Sequence, residues 1–387
     1  MDPFSDIRPF NDNEVSSILQ RLQSDQAFLN TISSFSFPRL HRYLGPLLRR
    51  LVAWRLKAKT RNLKTVDDVQ LLVESYVAKS IDSTCDSFTI SGLEHLQDQQ
   101  AHLLMANHRD IVMDPALVTY AMYRAKQATP RIAIGDNLLQ RPFVSDLMRL
   151  NKSFIVKRSV EGRREKLAAF LQLSDYINQS ITQDNASIWI AQAEGRAKDG
   201  NDETDSAILK MFHMSRKDED FASVIQSLNL MPVSISYEYD PCDLAKAREL
   251  YMLDSTGAYN KASGEDDASI AKGITGYKGR VHIHFCPIIK EASDNPKALA
   301  KAIDIQIIGN YQLRPIHYLA WQQWGKRDQQ LKVTPPAFSA EELAQATAYL
   351  AKRSAQCPAE HLPYLIEQYA NPVQNYYLLQ QAVPQPC

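Results

Sequence analysis

The sequence predicts an α/β fold, a mixed sheet flanked by helices, with helical extensions at both ends of the chain. Short apolar runs alternate with helical periodicity over residues 86–309, as expected for strands joined by helices. Residues 1–85 and 310–387 show helical periodicity without such runs. The chain has 387 residues, 44% of them hydrophobic, so it can bury a large core. We therefore predict an α/β domain over 86–309, between two helical regions.

The strands and helices of this domain are predicted from apolar runs and from spacings of three and four residues. The strands are expected over 87–90, 102–106, 131–134, 153–156, 187–192, 231–239 and 281–289. The helices between them are expected over 115–124, 162–181, 205–213 and 219–228, with a later one over 294–306.

A basic amphipathic segment over residues 39–64 dominates the N-terminal region. It contains nine Lys or Arg and no Asp or Glu, although the whole chain has a net charge of zero. Its Leu, Trp and Tyr residues recur at helical spacing, and Gly45-Pro46 predicts a break with the main helix starting at Pro46. A basic and apolar helix suits an anionic membrane surface. A helix packed on the domain with a solvated basic rim is the alternative. Nucleic acid is disfavoured because basic residues are not clustered in the same way elsewhere in the chain.

Other bulk features narrow the class of protein. The five cysteines are scattered without a CxxC pair, which indicates free thiols rather than a zinc site or a disulfide framework. The acidic, polar start does not resemble a signal peptide, and no run of 18 apolar residues predicts a membrane span. We expect a cytoplasmic protein that associates peripherally with a membrane.

The stretch MANHRDIVMDP, residues 105–115, is the strongest candidate site. It lies between a predicted strand and a predicted helix, where α/β sheets usually bind ligands. His108 together with Asp110 or Asp114 provides a base and a carboxylate, the pair that activates a hydroxyl for attack on an acyl carbonyl. Each residue also has a structural alternative: Asp114 before Pro115 can cap a helix, Asp110 can cap a turn, and His108 can lie on the surface.

Three other chemistries fit less well. A kinase catalytic loop needs a metal-binding Asn where this chain has Pro115, and no Gly-rich loop precedes it. A serine hydrolase needs a G-x-S-x-G elbow, which does not occur here. His282 and His284 could complete a metal site, but a His pair in an apolar strand is more often structural. We therefore expect no metal and no cofactor.

Downstream motifs follow in a recognisable order. Four segments occur in succession: Asn107-His108 with an Asp, the strand end Ile155-Val156-Lys157-Arg158, the segment Gln192–Arg196, and the strand start Met231-Pro232-Val233. This order resembles the glycerolipid acyltransferase family, which includes glycerol-3-phosphate and 1-acylglycerol-3-phosphate acyltransferases. The resemblance covers about residues 102–240.

Two departures from the family pattern concern spacing. The family places four residues between His and Asp, whereas five separate His108 from Asp114 and one separates it from Asp110. We favour Asp114, because it precedes the helix as the family Asp does. The third motif lacks the Pro and Thr of the family, and Arg196 follows Gly195 one position early.

The resemblance implies an acyltransferase that moves a fatty acyl group from a CoA or acyl carrier protein thioester to a glycerol phosphate or lysophospholipid hydroxyl. His108 would be the general base, with Asp114 or Asp110 as its partner. The expected substrate-binding residues are Asn107, Arg109, Lys157, Arg158, Glu194, Gly195, Arg196 and Lys198. The partners would be an anionic membrane surface, the acyl donor and a phospholipid precursor, with no nucleic acid. The competing hypothesis is a non-catalytic lipid-binding or scaffold protein of the same fold.

Overall fold

The computed structural model describes residues 2–96, 100–262, 264–290 and 293–382. The chain forms two compact units that do not follow chain order. The first comprises Met1–Tyr76 and Pro130–Tyr176, and the second comprises Val77–Thr129 and Ile177–Cys387. We call them unit 1 and unit 2.

Unit 2 contains a mixed β-sheet of five strands. They are β1 (Cys85–Ser91), β2 (Leu103–Ala106), β5 (Ile188–Ala191), β6 (Leu230–Tyr237) and β7 (Gly279–Phe285), in the order β1-β7-β6-β2-β5. The β6–β7 pair is antiparallel, whereas the pairs β1–β7, β2–β6 and β2–β5 are parallel. All four residues of β2 are buried, which explains its uninterrupted apolar sequence. The predicted mixed sheet is therefore confirmed.

Helices precede, connect and follow the strands of this sheet along the chain. They are α4 (Val66–Thr84, shared with unit 1), α5 (Met113–Arg124), α8 (Ser206–His213), α9 (Phe221–Ser227), α10 (Asp243–Thr256), α11 (Glu265–Thr275) and α12 (Pro296–Gly309). The C-terminal extension adds α13 (Pro315–Gln323), α14 (Ala340–Gln356) and α15 (Leu362–Ala382). These three pack through a shared apolar cluster that includes Ile316, Leu350 and Leu365, so the tail is helical as predicted.

Unit 1 combines helices with two parallel strands. The helices are α1 (Asp12–Ser24), α2 (Gln26–Ser36), α3 (Pro38–Thr60), α6 (Pro142–Leu150) and the first part of α7 (Arg163–Thr182); the strands are β3 (Arg131–Gly135) and β4 (Ser153–Val156). Val15, Leu22, Phe28 and Phe143 belong to its buried core.

Helix α3 covers residues 39–60 of the basic segment 39–64 and is kinked beside the predicted break at Gly45-Pro46. Leu44 has non-helical backbone angles (φ −122°, ψ 23°), two residues before Pro46, whose ring and missing N–H disrupt a helix. Leu48 and Val52 are buried, whereas Tyr43 is 79% exposed and Trp54 is 68% exposed. The helix therefore packs by a narrow stripe and leaves large apolar side chains uncovered. Among the described residues, no helix is both long and apolar enough to cross a bilayer.

Candidate active site

The site lies in unit 2, where β2 ends and the chain turns into α5. His108 occupies the loop between them, and α5 begins at Met113, two residues before the predicted start. This geometry brings the imidazole of His108 back onto the first helical turn, where its Nδ1 lies 2.8 Å from Oδ2 of Asp114. The loop thus absorbs the additional residue between the histidine and the aspartate.

The carboxylate of Asp114 is fully buried and accepts four hydrogen bonds. Its Oδ2 accepts from His108 and from the backbone N–H groups of Arg109 and Asp110, at 2.5 and 2.8 Å. Its Oδ1 accepts from the hydroxyl of Tyr237, on β6, at 2.6 Å. Burial alone would raise the pKa of Asp114, but the interactions with His108, followed by those with Tyr237 and Asp110, lower it below its ordinary value. The carboxylate is therefore ionised at neutral pH.

This ionised carboxylate determines which ring nitrogen of His108 carries the hydrogen when the imidazole holds only one. Because a carboxylate can only accept, His108 Nδ1 must carry the hydrogen, which leaves the lone pair on Nε2. The ring also contacts the edge of Trp189, with centroids 5.6 Å apart at an interplanar angle of 74°. The side chain of His108 is 14% exposed. An imidazole that is held at Nδ1 and carries its lone pair on Nε2 is the arrangement required of a general base.

Asp110, the alternative partner of His108, has a different role. Its Oδ1 accepts from the backbone N–H groups of Val112 and Met113, at 3.1 and 2.9 Å, and so caps the start of α5. Burial, together with the charge of Asp114, raises the pKa of Asp110. Of the two expected partners, Asp114 forms the hydrogen bond with the imidazole. Asp110 accepts hydrogen bonds from the backbone at the start of α5 instead.

Asn107, which was expected to bind substrate, lies inside the protein, and its contact with substrate stays a prediction. Its side chain is fully buried, accepts from the backbone N–H of Ile235 at 2.8 Å and donates to the carbonyl of the same residue at 3.0 Å. These bonds extend the contact between the end of β2 and β6 beyond the strand ladder. Asn107 thus holds the loop in place from inside the protein.

Arg109 forms a buried ion pair that the sequence did not reveal. Its guanidinium binds Asp202, which also accepts from the hydroxyl of Tyr311, and it donates to the carbonyl of Gly200 at 3.3 Å. Burial would lower the pKa of Arg109, but the charge of Asp202 raises it above its ordinary value. Lys246 donates to the carbonyl of Arg109 at 2.8 Å. Arg109 therefore fixes the loop after His108, and its charge is already compensated.

The third motif forms the loop after β5. Glu194 and Gly195 are exposed, and Gly195 has a φ of +78° that favours glycine. The backbone N–H of Ala197 donates to the carbonyl of His108 at 2.8 Å, which joins this loop to the first motif. Lys198 pairs with Glu249 at 3.2 Å. Arg196 is half-buried and forms no ion pair within the described part of the chain, so its charge is available to an anionic ligand.

Helix α15 packs against the next residues of the same loop. Asn371 donates to the carbonyl of Asp199 at 2.8 Å, and Asn375 donates to the side chain of Asn201 at 2.9 Å. Gly200 lies between Asp199 and Asn201 in the chain and has a φ of +85°. A Cβ at this position would lie 2.4 Å from the carbonyl oxygen of Gln368. The C-terminal extension therefore supports the loop that carries the third motif.

A pocket with both charged and apolar walls adjoins these residues. Its empty space is about 510 Å³, part of which is open to solvent. One side is formed by Arg109, Lys198, Tyr237 and Lys246, and the other by side chains of the C-terminal extension, among them Gln368. The C-terminal helices thus contribute to a cavity beside the first and third motifs.

Lys157 and Arg158 lie in unit 1, immediately after β4. Lys157 donates to Asp6 and, at 3.0 Å, to Gln172. The backbone N–H of Arg158 donates to Asp136 at 3.1 Å. Their expected contact with substrate stays a prediction.

The two histidines considered for a metal site form a hydrogen-bonded row with hydroxyl groups. His282 contacts Thr89 at 2.8 Å and Ser91 at 2.9 Å, and Ser91 contacts His284 at 2.7 Å. Burial lowers the pKa of His282 to about 4. Across the described ranges, no group of three or more His, Cys, Asp or Glu side chains is arranged to hold a metal ion. The pair therefore satisfies hydrogen bonds between β1 and β7.

Part of the chain matches a known protein family. Residues 87–236 match the family model described as Acyltransferase. The chain is 26% identical over 208 residues to a glycerol-3-phosphate acyltransferase of Pseudoalteromonas translucida (strain TAC 125); the match covers 50% of this chain and 23% of that protein. This chain thus spans about a quarter of that relative's length. A solved 1-acyl-sn-glycerophosphate acyltransferase from Thermotoga maritima is 15% identical, with a TM-score of 0.36, over 73% of this chain and 95% of that one.

Proposed function

We propose, from the match of residues 87–236 to the Acyltransferase family model, that the protein acylates a glycerolipid precursor at a membrane surface. The donor would be an acyl-CoA or an acyl carrier protein thioester, and the acceptor a hydroxyl of a glycerol phosphate or lysophospholipid. The observation that carries the proposal is the hydrogen bond of 2.8 Å between His108 and the buried carboxylate of Asp114.

The proposed reaction uses His108 first as a base and then as an acid. Nε2 takes the proton of the acceptor hydroxyl while its oxygen attacks the thioester carbonyl. The carbon–sulfur bond then breaks, the new ester forms, and the departing thiolate receives the proton from the imidazolium. Asp114 stabilises the imidazolium between these two transfers. The thioester supplies an activated acyl group, so no covalent enzyme intermediate is needed.

The phosphate of the acceptor would be bound by cations of the third motif. Arg196 is suited to this role because no described carboxylate neutralises it, and a guanidinium binds phosphate oxygens in pairs. Lys198 would contribute a second charge by exchanging Glu249 for the ligand, and Gly195 would allow close approach of the backbone.

The membrane surface would be reached through α3. Its exposed apolar residues include Tyr43, Leu47 and Trp54, and they are interspersed with the basic residues of segment 39–64. Such a helix binds anionic bilayers by burying its apolar side chains at the headgroup boundary. Binding there would bring the enzyme to the phase in which acyl substrates concentrate.

Acyl transfer can be tested with a radiolabelled acyl-CoA or acyl carrier protein donor and a panel of glycerol phosphate and lysophospholipid acceptors. We expect an acylated lipid product that depends on one acceptor and is lost in His108→Ala. His361→Ala is the control, because that imidazole lies in the C-terminal extension and packs on Tyr251 of α10. If folded wild-type protein on vesicles gives no product with either donor, the scaffold hypothesis replaces this proposal.

A further inference from the structure

The first turns of α7, in unit 1, leave three large apolar side chains uncovered. Leu167, Phe170 and Leu171 are 51%, 44% and 38% exposed. The helix is anchored further on, where Leu173 and Tyr176 are buried. The exposed residues therefore belong to a helix that is anchored through its later residues. We call residues 163–171 the α7 surface.

Basic residues share a face with these apolar side chains. At 100° per residue, Arg163, Arg164 and Lys166 fall with Leu167, Phe170 and Leu171 within an arc of about 160°. The one acidic residue of the segment, Glu165, falls on the opposite side. One face of the helix is thus both basic and apolar, and the other carries the acid and two alanines.

The position of the cations along the helix is electrostatically unfavourable without a partner. The N-terminal end of a helix carries a partial positive charge, which favours acidic side chains and anions there and disfavours Lys and Arg. Arg163, Arg164 and Lys166 all lie in the first four residues of α7. A layer of anionic groups above this surface would relieve the repulsion, while an apolar layer would cover the three hydrophobic side chains.

We propose that the α7 surface is a second membrane-contact element, which binds an anionic bilayer in addition to α3. Lipid phosphates would pair with its Arg and Lys side chains, and Leu167, Phe170 and Leu171 would enter the headgroup boundary. A lipid surface is favoured over an acidic protein because the apolar side chains at the centre of the face need an apolar partner. The inference rests on the membrane association proposed above.

The test is co-sedimentation of the full chain with vesicles made of equal parts phosphatidylcholine and phosphatidylglycerol. We expect the triple variant Leu167→Ser, Phe170→Ser, Leu171→Ser to bind at least tenfold more weakly than wild type, because each buried side chain contributes about one factor of ten or more. The matched control is Leu343→Ser with Leu378→Ser, which are 39% and 42% exposed in unit 2. The control should bind as wild type does.

A second variant tests the charges separately. The triple variant Arg163→Gln, Arg164→Gln, Lys166→Gln should lose the preference of wild type for vesicles with phosphatidylglycerol over vesicles of phosphatidylcholine alone. Circular dichroism checks that both variants keep the helical content of wild type. Equal binding by wild type and the folded serine variant overturns the inference but leaves the membrane association through α3.

Two further outcomes are decisive. Absence of vesicle binding by wild type overturns both this inference and the proposed membrane association, whereas acyl transfer to a soluble acceptor can still be measured. Retained vesicle binding by the serine variant, together with lost binding to an acidic acyl carrier protein, would make the α7 surface a protein-docking site and overturn the lipid assignment.

Discussion

Replacing Asp114 by asparagine tests the charge of the His108 partner with little change in shape. The amide oxygen can occupy the position of Oδ2 and still accept from His108 and from the two backbone N–H groups. The amide nitrogen then faces Tyr237, whose hydroxyl can rotate to accept a hydrogen bond. Asp114→Asn is therefore expected to fold and to keep the imidazole in place, while it removes the negative charge.

The size of the effect follows from the distance between the two groups. During acyl transfer the imidazolium and the carboxylate carry opposite charges about 4 Å apart between their centres. At an effective dielectric constant of about 20 this attraction is worth about 4 kcal/mol. Its loss should lower kcat about a thousandfold, since each 1.4 kcal/mol corresponds to about a factor of ten.

The assay is single-turnover acyl transfer by wild type, Asp114→Asn and Asp110→Asn under saturating donor. Asp110 is the matched control, because it is a buried carboxylate of the same loop that caps α5 and does not contact the imidazole. Asparagine is also a good cap, so Asp110→Asn should stay within a few-fold of wild type. A loss of less than about tenfold in Asp114→Asn, or an equal loss in both variants, would refute the assigned role of the charge.

Three further predictions concern residues around the site. Tyr237→Phe removes one of the four hydrogen bonds to Asp114 and should lower kcat/KM about tenfold in the same assay, because a bond to a charged group is worth about 1.5–3 kcal/mol. Gly200→Ala should lower the free energy of unfolding in urea by about 1–3 kcal/mol, since its φ is positive and a Cβ would collide with the carbonyl of Gln368; a midpoint equal to that of wild type would contradict this. Burial raises the pKa of Asp304 to about 6, so the folded protein binds an extra proton and stability falls as pH rises from about 4 to 6. Asp304→Asn should therefore be more stable than wild type above pH 6, and urea titrations should show the difference narrowing toward pH 4.

Much of the fold was predictable because each strand is a short apolar run bounded by polar turns. The two ends of the site loop were predictable for the same reason, since an apolar strand precedes His108 and Asp114-Pro115 opens a helix. The choice between Asp110 and Asp114 was not. Both carboxylates precede the helix predicted from Pro115, and only the backbone path of the loop decides which one reaches the imidazole and which one caps α5.

The remaining site residues come from segments that carry no motif. Four side chains reach the loop only through tertiary packing, namely Tyr237, Asp202, Tyr311 and Lys246. Nothing in their local sequence distinguishes them from other buried or solvated side chains. The same limit applies to the α7 surface. Helical spacing over 162–181 predicts a helix, but which apolar residues stay uncovered depends on where the rest of the chain lies.

The support of the third-motif loop by α15 sets an order for the assembly of the site during synthesis. Asn371 and Asn375 follow the loop residues they bind by roughly 170 positions. At translation rates of about 5–20 residues per second, the loop leaves the ribosome roughly 10 to 30 s before its helical partner. During that interval His108, in the loop after β2, and Asp114, on α5, can already be in place, but the loop that holds Arg196 lacks its support. The nascent chain therefore acquires its complete candidate site only when α15 docks, and the proposed acyl transfer would begin only after that helix has emerged.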